Sequence, residues 1–462
     1  MGTNLARLRR GLWILIVVFV ASWLTSCSFH PALGPLVSCS DFEGVPIAPL
    51  TAQSSQVVFE QVGTVIAIHG SGSAKVDPGN GHIEVRVEQS QTIPLYANQA
   101  AVFLNGWREN YPGDDHYVSL LGTFLSKINF AFDPNTKTNI LTWDAVGLLA
   151  DGSFKQGMAW TYTFTVVAWN SVNLNAVVDQ GGGPGGQYCT DPNSPFVDNY
   201  FYAQNKNTNT ALSCFFSFIQ NPAFANTRTV AVLPRGTGYG WSFQDHHIRQ
   251  VAYNLDHSEI LADHTRLYDK QGNDQTAAPL PDTASHADSG FVSWDPYAIF
   301  KDNDTRRDYI FAEVVSAMAG ADVGVVQPPY AILPADNGSS LFNGCGSVGS
   351  NGVVSQDFVI EDIPFQFAIP MLTGWDLEYL CDDHNVKEIG IWIDHWSYQS
   401  PGPGAAGGTL RYTVNSILRD NDNNGFFSNH KITILGLKSI SGGKAGAAPS
   451  QAGSKASKKK SS

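Results

Sequence analysis

The stretch Ile369-Pro370-Met371-Leu372-Thr373-Gly374-Trp375, followed at a fixed distance by Asp383-His384-Asn385-Val386, decides the fold, because the chain contains this pattern three times. In each copy the Gly precedes the Asp by nine residues. The two earlier copies run from Ala101 to Trp107 with Asp115 to Val118, and from Ala231 to Gly236 with Asp245 to Ile248. Self-similarity at a fixed spacing indicates one structural unit repeated along the chain.

A second block follows the first in each copy. It is an aromatic residue that precedes an Asp by eight residues, and a β-rich stretch then ends the copy. The aromatic and Asp positions are Trp143 with Asp151, Trp294 with Asp302, and Tyr412 with Asp420. The closing stretches are 160–169, 309–318 and 430–437. Each copy therefore contains about four candidate strands.

Side chains alternate within these stretches as they do in a half-buried strand. From Trp160 to Val166 the large apolar residues alternate with Thr, and Ile389, Ile391 and Ile393 alternate with other residues. Four strands with one apolar face need a partner sheet to cover that face. The sequence therefore predicts an all-β fold of three tandem antiparallel β-sandwich-like repeats joined by Gly/Pro-rich connections.

The boundaries follow from composition. The breakers Gly181–Gly186 and Pro401–Gly404 interrupt any regular element, and the Gly-, Ala-, Ser- and Lys-rich end has too little apolar mass to fold. The predicted parts are a signal peptide at 1–26, a linker with leading strands at 27–93, repeat 1 at 94–172, a connection at 173–226, repeat 2 at 227–320, a connection at 321–364, repeat 3 at 365–438, and a disordered Lys-rich tail at 439–462.

Charge limits the class of partner. The formal net charge is −13, and without the three Arg of residues 1–26 and the six Lys from Lys438 onward the body carries −22. Such a body repels nucleic acid and anionic surfaces, so we expect no nucleic-acid partner. Neutral sugars, peptides and divalent cations remain compatible with it.

The amino end predicts export. Arg7, Arg9 and Arg10 precede an apolar run from Leu12 to Val20, which is the pattern of a secretory signal. The run is shorter than the ~20 residues that span a bilayer, so a plain membrane anchor is the weaker alternative.

The end of that run, Leu24-Thr25-Ser26-Cys27, resembles the lipobox of bacterial lipoproteins. The resemblance implies that Cys27 is lipidated, that acyl chains such as palmitate anchor the protein in the lipid bilayer, and that Ser28 directs it to an outer membrane or the cell surface. The alternatives are an ordinary cleavage site with a chance Cys, and a second match that ends at Cys39. Among the other Cys residues, disulfide bonds are allowed after export, and sequence order suggests Cys189–Cys214 and Cys345–Cys381.

The Asp-His pairs of the three copies are candidates for metal binding or proton transfer. They are Asp115-His116, Asp245-His246 and Asp383-His384, with Asp256-His257 and Asp394-His395 eleven residues after the last two. Adjacent residues of a strand point to opposite faces, and a catalytic site needs one asymmetric arrangement rather than a recurring one. A structural role in capping turns is therefore the favoured interpretation.

The loop after Tyr412 matches the first half of a Ca²⁺-binding loop. Asp420, Asp422 and Asn424 offer oxygens at alternate positions, and Gly425 allows the bend. The acid expected at the twelfth position is replaced by Lys431. The loop thus predicts either a Ca²⁺ site in repeat 3 or an ordinary hairpin turn.

A run of aromatic residues distinguishes the third copy. By period-2 alternation, Trp392, Asp394, Trp396 and Tyr398 share one face, on which a sugar ring can stack and form hydrogen bonds. The alternative is that the same side chains pack inside a sandwich. Short sandwich domains that end in such an aromatic strand are loosely similar to H-type lectins, and that resemblance implies carbohydrate binding at the level of the fold only.

Familiar catalytic motifs are absent from the sequence: it contains no GxSxG, HExxH or GxxxxGK[ST]. We therefore assign no catalytic residue and predict a lipid-anchored cell-envelope protein that binds carbohydrate or another protein. Two alternatives remain open. One is a hydrolase that uses His384, Asp394 or His395 of repeat 3, and the other is a structural or assembly subunit.

Overall fold

The structure is a computed structural model, and its strands are β-branched and aromatic-rich segments separated by turns. It describes residues 55–62, 65–78, 84–153, 155–170, 175–178, 187–189, 200–205, 217–220, 230–241, 245–260, 291–303, 309–320, 323–326, 331–333, 352–380, 382–402, 407–422 and 424–437.

Each repeat supplies four long strands. Repeat 1 contains β4 (Gln99–Asn110), β5 (Leu120–Asp133), β6 (Thr138–Ala150) and β7 (Met158–Trp169), after β1 (Ser55–Val62), β2 (Val65–Val76) and β3 (Glu84–Ile93). The connection holds β8 (Asn175–Val178), β9 (Gln187–Cys189), β10 (Tyr200–Asn205) and β11 (Ser217–Gln220). Repeat 2 contains β12 (Val230–Trp241), β13 (Gln250–Ile260), β14 (Phe291–Lys301) and β15 (Tyr309–Ala319). After β16 (Val323–Val326), β17 (Ala331–Leu333) and β18 (Val354–Ile363), repeat 3 contains β19 (Phe367–Tyr379), β20 (Glu388–Gln399), β21 (Gly408–Arg419) and β22 (Phe426–Leu437).

Within a repeat the first and fourth strands pair and pack on the pair formed by the second and third. In repeat 1, Trp143 of β6 meets Phe164 of β7 with ring centroids 5.0 Å apart. In repeat 3, Phe367 of β19 lies 6.2 Å from Trp396 of β20, and Ser416 of β21 is hydrogen-bonded to Ser428 of β22. All strand pairs are antiparallel. The predicted all-β fold of sandwich-like repeats is confirmed.

The layers of neighbouring repeats join into three continuous sheets. Sheet 1 has the order β1-β2-β7-β4-β20-β21-β18, so it combines strands of repeats 1 and 3. Sheet 2, β3-β6-β5-β12-β15-β10-β9 with β8 against β15, combines repeats 1 and 2. Sheet 3, β11-β14-β13-β19-β22-β16 with β17 against β22, combines repeats 2 and 3. The repeats therefore interlock in a closed cycle rather than following one another as separate bodies.

The segments that carry the repeated Asp-His pairs close the cycle at one end. His116 bridges Val386, Val118 bridges His246, and Ile248 bridges His384. Each bridge joins two different repeats through a pair of backbone hydrogen bonds of 2.8–3.1 Å. We call this triangle of bridges the ring end.

A β-bulge interrupts the first strand of every repeat at the same point. The pairing register shifts immediately before Gly106, Gly236 and Gly374. The repeated Gly is required there because a neighbouring strand crosses it closely: a Cβ on Gly106 would overlap Trp392 of β20, and one on Gly236 would lie 2.6 Å from Cα of Phe124. The spacing found in the sequence thus marks where repeats meet.

Sheet 1 is strongly curled. Nε2 of His69 on β2 lies 3.0 Å from the backbone oxygen of Asp394 on β20, although β7 and β4 stand between these strands in the sheet. In a flat sheet three strand spacings would separate them by about 14 Å. The curl therefore brings the two edges of the β7–β4 pair together.

Several predictions fall on residues outside the described ranges. These are the signal peptide at 1–26, Cys27 and Cys39, and the tail at 439–462. The side chains of Asp256, His257 and the paired Cys residues are likewise outside what the structure describes. No helix long and apolar enough to cross a membrane occurs among the residues that the structure describes.

Candidate functional site

The three repeated His residues have equivalent surroundings at the ring end. Nδ1 of His116, His246 and His384 lies 3.7, 3.6 and 3.3 Å from a carboxylate oxygen of Asp151, Asp302 and Asp420, respectively. Each of these carboxylates is almost fully buried. Each imidazole also packs edge-on against the aromatic residue that ends the first strand, Tyr111, Trp241 or Tyr379. The Asp repeated in the second block is therefore the partner of the His repeated in the first block.

The Asp of each pair binds a different repeat from its His. The carboxylate of Asp115 accepts the backbone N–H of Asn421 at 3.0 Å, that of Asp245 accepts Gly152 at 3.3 Å, and that of Asp383 accepts Asn303 at 3.1 Å. The Asp and the N–H group that it binds therefore always lie in different repeats. Asp115 joins repeat 1 to repeat 3, Asp245 joins repeat 2 to repeat 1, and Asp383 joins repeat 3 to repeat 2. Both members of these three pairs are engaged in holding loops together at the ring end, as the structural interpretation of these pairs requires.

The candidate calcium ligands are also engaged with protein groups. The two carboxylate oxygens of Asp420 accept hydrogen bonds from the backbone and side-chain N–H groups of Asn424, at 3.0 and 2.6 Å. Asp422 is exposed. In the described part of the chain, no group of three or more His, Cys, Asp or Glu side chains is placed to hold a metal ion. The Ca²⁺ site stays a prediction without geometric support.

The predicted aromatic face of β20 is divided between the two sides of the sheet. The pairing register of β20 shifts between Ile393 and His395, so Asp394 occupies a bulge and the alternation changes phase. Before the bulge Ile391 and Ile393 are buried and Trp392 points to the outer face; after it, Trp396 is buried. The prediction that these side chains share one face is therefore wrong, because one extra residue reverses every later side chain.

Trp396 and Tyr398 pack inside repeat 3. Phe367 lies against both rings, and the Tyr398 hydroxyl donates to the backbone oxygen of Phe365 at 2.6 Å. Their contacts are those of core residues. Trp392 alone of the four presents an aromatic ring to the outer face of sheet 1, with Asp394 exposed beside it.

A row of small and polar residues crosses the outer face at the level of Trp392. Reading across the strands β2, β7, β4, β20, β21 and β18, the paired residues are Ser71, Thr163, Gly106, Trp392, Asn415 and Ser355. Gly106 has no side chain because Trp392 itself fills that space: a Cβ on Gly106 would overlap the backbone of Trp392. We call this set of residues the outer row of sheet 1.

The hydroxyl of Thr163, which pairs with Gly106, is buried and has no hydrogen-bond partner among the described residues. A buried hydroxyl without a partner costs about 1–3 kcal/mol, so native proteins rarely retain one. Because this hydroxyl is closed to solvent, it does not form part of a ligand-binding surface in this structure.

A cation stands over the Trp392 ring. The guanidinium carbon of Arg108 lies 5.5 Å from the ring centroid of Trp392, within the range of a cation–π contact. Arg108 is held there by an ion pair with the buried carboxylate of Glu388, which also binds Arg419 at 2.5 Å. Two guanidinium groups on one carboxylate fix the plane that covers the indole.

Beside the row, a chain of hydrogen bonds links Asp394, His395, Thr413 and Asp357. Nδ1 of His395 lies 3.2 Å from Asp394, and Nε2 lies 3.1 Å from the Thr413 hydroxyl. This order resembles an acid, a base and a hydroxyl nucleophile. However, the Thr413 hydroxyl donates its proton to Asp357 at 2.5 Å, so His395 has no proton to take from it. The arrangement does not prepare a nucleophile.

The hydrolase alternative also required His384 to meet Asp394 and His395. His384 contacts Asp420 and Asn424 at the ring end, whereas Asp394 lies six residues along β20 from its start. Six residues of strand span about 20 Å. The structure does not bring these three groups together.

Behind the bulge lies a buried polar link from sheet 1 to sheet 3. Asn105, in the bulge of β4, donates to the Thr165 hydroxyl at 2.6 Å and to the backbone oxygen of Pro370 at 3.2 Å. Thr165 in turn contacts Nδ1 of His69 at 3.3 Å. Burial lowers the pKa of His69 below its ordinary value, so the ring is neutral. The neutral ring fills the space between β2 and β20 and contacts both Thr165 and the backbone oxygen of Asp394.

Sequence reasoning missed Arg108, Thr163 and Gly106 as partners of Trp392. Trp392 and Arg108 are far apart in the sequence, and only strand pairing between repeats 1 and 3 brings them together. One signal for the divided face was present: Ile389, Ile391 and Ile393 occupy odd positions, whereas Trp396 and Tyr398 occupy even ones. That change of phase indicates a bulge near Asp394.

No protein-family model matches the chain, and no curated protein is similar to it. Two solved structures of infectious bursal disease virus align with it at 7% sequence identity. The Gt strain structure aligns over 91% of this chain and 87% of that chain with a TM-score of 0.12, and the Gx strain structure over 84% and 79% with a TM-score of 0.13. Scores this low support no conclusion about fold or function.

Proposed function

We propose that this chain is an exported, lipid-anchored cell-envelope protein that binds carbohydrate at the outer row of sheet 1. The observation that carries the proposal is the partly exposed Trp392 ring on the outer face of sheet 1, with the Arg108 guanidinium 5.5 Å from its centroid and Asp394 exposed two residues further along β20. Sugars present an apolar ring face and a rim of hydroxyls, and this set offers an aromatic ring for the first and charged groups for the second.

Binding is favoured over catalysis by how the acids and histidines are used. The Asp-His pairs of all three repeats hold the ring end, and the proton of Thr413 is committed to Asp357. The described groups near Trp392 are an aromatic ring, an amide, hydroxyls and a paired guanidinium, which recognise a ligand without transferring a proton. A neutral or acidic glycan suits this set, since the guanidinium of Arg108 lies against the indole.

The anchor is proposed on the lipobox at Cys27 and places the binding surface at an outer membrane or the cell surface. The test is metabolic labelling of the full-length protein with radioactive palmitate. We expect label on the protein and its loss in Cys27→Ser. Cys39→Ser is the matched control and keeps the label. Label lost only in Cys39→Ser would move the anchor to the second match.

The binding site is tested on a broad glycan array with the full-length protein in detergent. We expect a set of glycans to bind. Trp392→Ala should weaken that binding about tenfold or more, because the sugar no longer stacks on an indole ring. Arg108→Lys is a sharper variant, since Lys keeps the ion pair with Glu388 but not the plane over Trp392. Tyr117→Ala, exposed at the ring end, is the control that leaves binding unchanged.

Thr163→Val is a second control, at a buried position of the same row. Val has the shape of Thr but no hydroxyl, so it removes an unpartnered buried polar atom and leaves stability equal or higher. Because that hydroxyl is closed to solvent, we expect unchanged glycan binding with no fall in the melting temperature. A silent array, or full binding by Trp392→Ala, would refute the carbohydrate proposal.

A further inference from the structure

Three large apolar side chains stand exposed together at one corner of repeat 1. Leu95 and Tyr96 lie in the turn between β3 and β4, and Phe132 lies near the end of β5, with 61%, 38% and 56% of their surfaces exposed. Pairing places the two turns side by side, because Asn139 of β6 pairs with Ile93 of β3 on one side and with Phe132 on the other. We call Leu95, Tyr96 and Phe132 the apolar tip.

The two turns that carry the tip are rigid. The side-chain amide of Asn139 donates to the backbone oxygens of Pro94 and Ala97, at 3.3 and 2.7 Å, and so fixes the first turn. In the hairpin after Phe132, the carboxylate of Asp133 accepts the backbone N–H of Asn135 at 2.8 Å and the hydroxyl of Thr136 at 2.7 Å. These hydrogen bonds hold the pKa of Asp133 below its usual value. The apolar side chains are therefore displayed by ordered backbone.

The tip is at the opposite end of the molecule from the ring end. Strand β4 runs from this turn towards the bridge at His116, and β5 returns from the bridge at Val118 to Phe132. Residues 28–54, between Cys27 and β1, number 27 and can extend to about 90 Å. An anchor at Cys27 therefore allows this end to reach the bilayer.

We propose that the apolar tip inserts into the interface of the bilayer that holds the acylated Cys27. The inference rests on the proposed anchor and not on carbohydrate binding. The tip adds a second contact to the attachment that the acyl chains of Cys27 make. Leu, Tyr and Phe suit the boundary between headgroups and acyl chains.

The area of the tip argues against a second copy as its occupant. The three side chains expose roughly 300 Å², whereas a stable protein interface needs about 800 Å² on each partner. Protruding side chains on two turns also match a deformable lipid surface better than a flat protein face. With the tip in the membrane, the ring end points away from it, and the outer row of sheet 1 stands beside the surface.

The experiment uses the full-length protein, reconstituted at low density into vesicles of phosphatidylethanolamine and phosphatidylglycerol in a 3:1 ratio. A photoreactive benzoyl-phenylalanine replaces, one at a time, Leu95, Tyr96 and Phe132. The control positions are Tyr117 and Val359, which are similarly exposed but lie elsewhere. After irradiation, mass spectrometry of the peptides distinguishes lipid adducts from protein cross-links.

We expect at least about tenfold more lipid adduct at the three tip positions than at Tyr117 and Val359. Equal adduct at tip and control positions overturns the proposal, and so do protein–protein cross-links at the tip, which would show a second copy. The mass of the amino-terminal peptide from the same sample reports acylation of Cys27. A missing acyl chain and a tip that avoids lipid therefore give different results, and glycan binding is measured separately.

Discussion

The ring end and the outer faces of the sheets use the threefold repeat in opposite ways. At the ring end each repeat supplies the same His, the same buried Asp and the same kind of aromatic neighbour. The three repeats are therefore structurally equivalent there. On the outer faces, the residues that lie opposite the repeated Gly differ completely. They are Trp392 in sheet 1, Phe124 in sheet 2 and Asn254 in sheet 3.

The neighbours of those positions differ too. Two residues after the repeated Gly stand Arg108, Gly238 and Asp376, and across the fourth strand stand Thr163, Val314 and Lys431. Around the repeated Gly, sheet 1 thus has aromatic and hydroxyl side chains, sheet 2 apolar ones and sheet 3 polar and charged ones. Of these residues only Trp392, Arg108 and Asp376 are partly exposed. Residues that the cycle needs are equal in every repeat, and residues that differ are free to serve a purpose of their own. This contrast is what directs attention to Trp392.

The largest expected effect comes from the close approach at the repeated Gly. In Gly106→Ala the new Cβ would overlap Trp392, and the backbone there has φ +138°, which a side chain strains. We expect unfolding free energy to fall by about 4 kcal/mol. In Gly374→Ala the nearest atom is Oδ1 of Asn254 at 3.0 Å, and we expect about 1–2 kcal/mol. Urea unfolding of both variants measures the difference, and equal costs would contradict the asymmetry between the sheets.

The next effect separates the two tryptophans of β20. Trp396→Ala removes a buried ring that packs on Phe367, and we expect a loss of about 3–5 kcal/mol. Trp392→Ala removes a half-exposed ring on the outer face, and we expect about 1 kcal/mol. Thermal and urea melts measure both. A reversed order would mean that the two rings lie on the same face after all.

A smaller effect concerns Asp376, which occupies in sheet 3 the position that Arg108 occupies in sheet 1. Burial raises the pKa of Asp376 to about 6, while the hydrogen bond from Gln250 opposes that shift. The folded state then holds a proton that the unfolded chain releases near pH 4, so this group's contribution to stability is present below pH 4 and is lost as pH rises to 6. In Asp376→Asn the side chain cannot ionise, so this fall in stability between pH 4 and pH 6 does not occur.

We therefore expect Asp376→Asn to be about 1–3 kcal/mol more stable than the unchanged protein at pH 7, and nearly equal to it at pH 4. Asn also keeps an oxygen for the Gln250 donor at 2.9 Å. Urea unfolding at several pH values measures the difference between the two proteins. A difference that stays constant with pH would contradict a proton held by this carboxyl.

The smallest effect tests the equivalence of the ring end. Asp115→Ala, Asp245→Ala and Asp383→Ala each remove an acceptor for a backbone N–H of another repeat. Because these carboxylates are partly exposed, we expect each to cost about 1 kcal/mol. Denaturant melts of the three variants should agree within that value. One variant far more costly than the others would show that the repeats are not interchangeable there.

Period-2 alternation and the repeated Gly and Asp were enough to predict antiparallel sandwich repeats, because both are local properties of a strand. The spacing of Gly374 and Asp383 even marks the two places where repeats meet. Exchange of strands between repeats was not predictable, since the pairing of Trp392 with Gly106 leaves no mark near either residue. Any unpaired strand edge of the right length satisfies the same pattern.

The candidate site was predicted in part. Trp392 was identified from its aromatic neighbours, but Trp396 and Tyr398 were assigned to its face because the bulge at Asp394 was not recognised. Asp420 and Asn424 were read as oxygen ligands, whereas Asn424 donates to Asp420 within the turn. In both cases local chemistry was read correctly, and one extra residue or one hydrogen bond decided the direction of the side chain.

The pairing of β4 with β20 has a consequence for the order of folding. These strands belong to the first and last thirds of the chain, and their contact closes the cycle. The edge of β4 must remain open until residues near 390 have been made, because its partner strand does not exist before then. Such long-range pairing slows folding, and a protein truncated within repeat 3 would present a bare strand edge to its neighbours. The first strand of the amino-terminal repeat therefore gains its last pairing partner only late in synthesis of the chain.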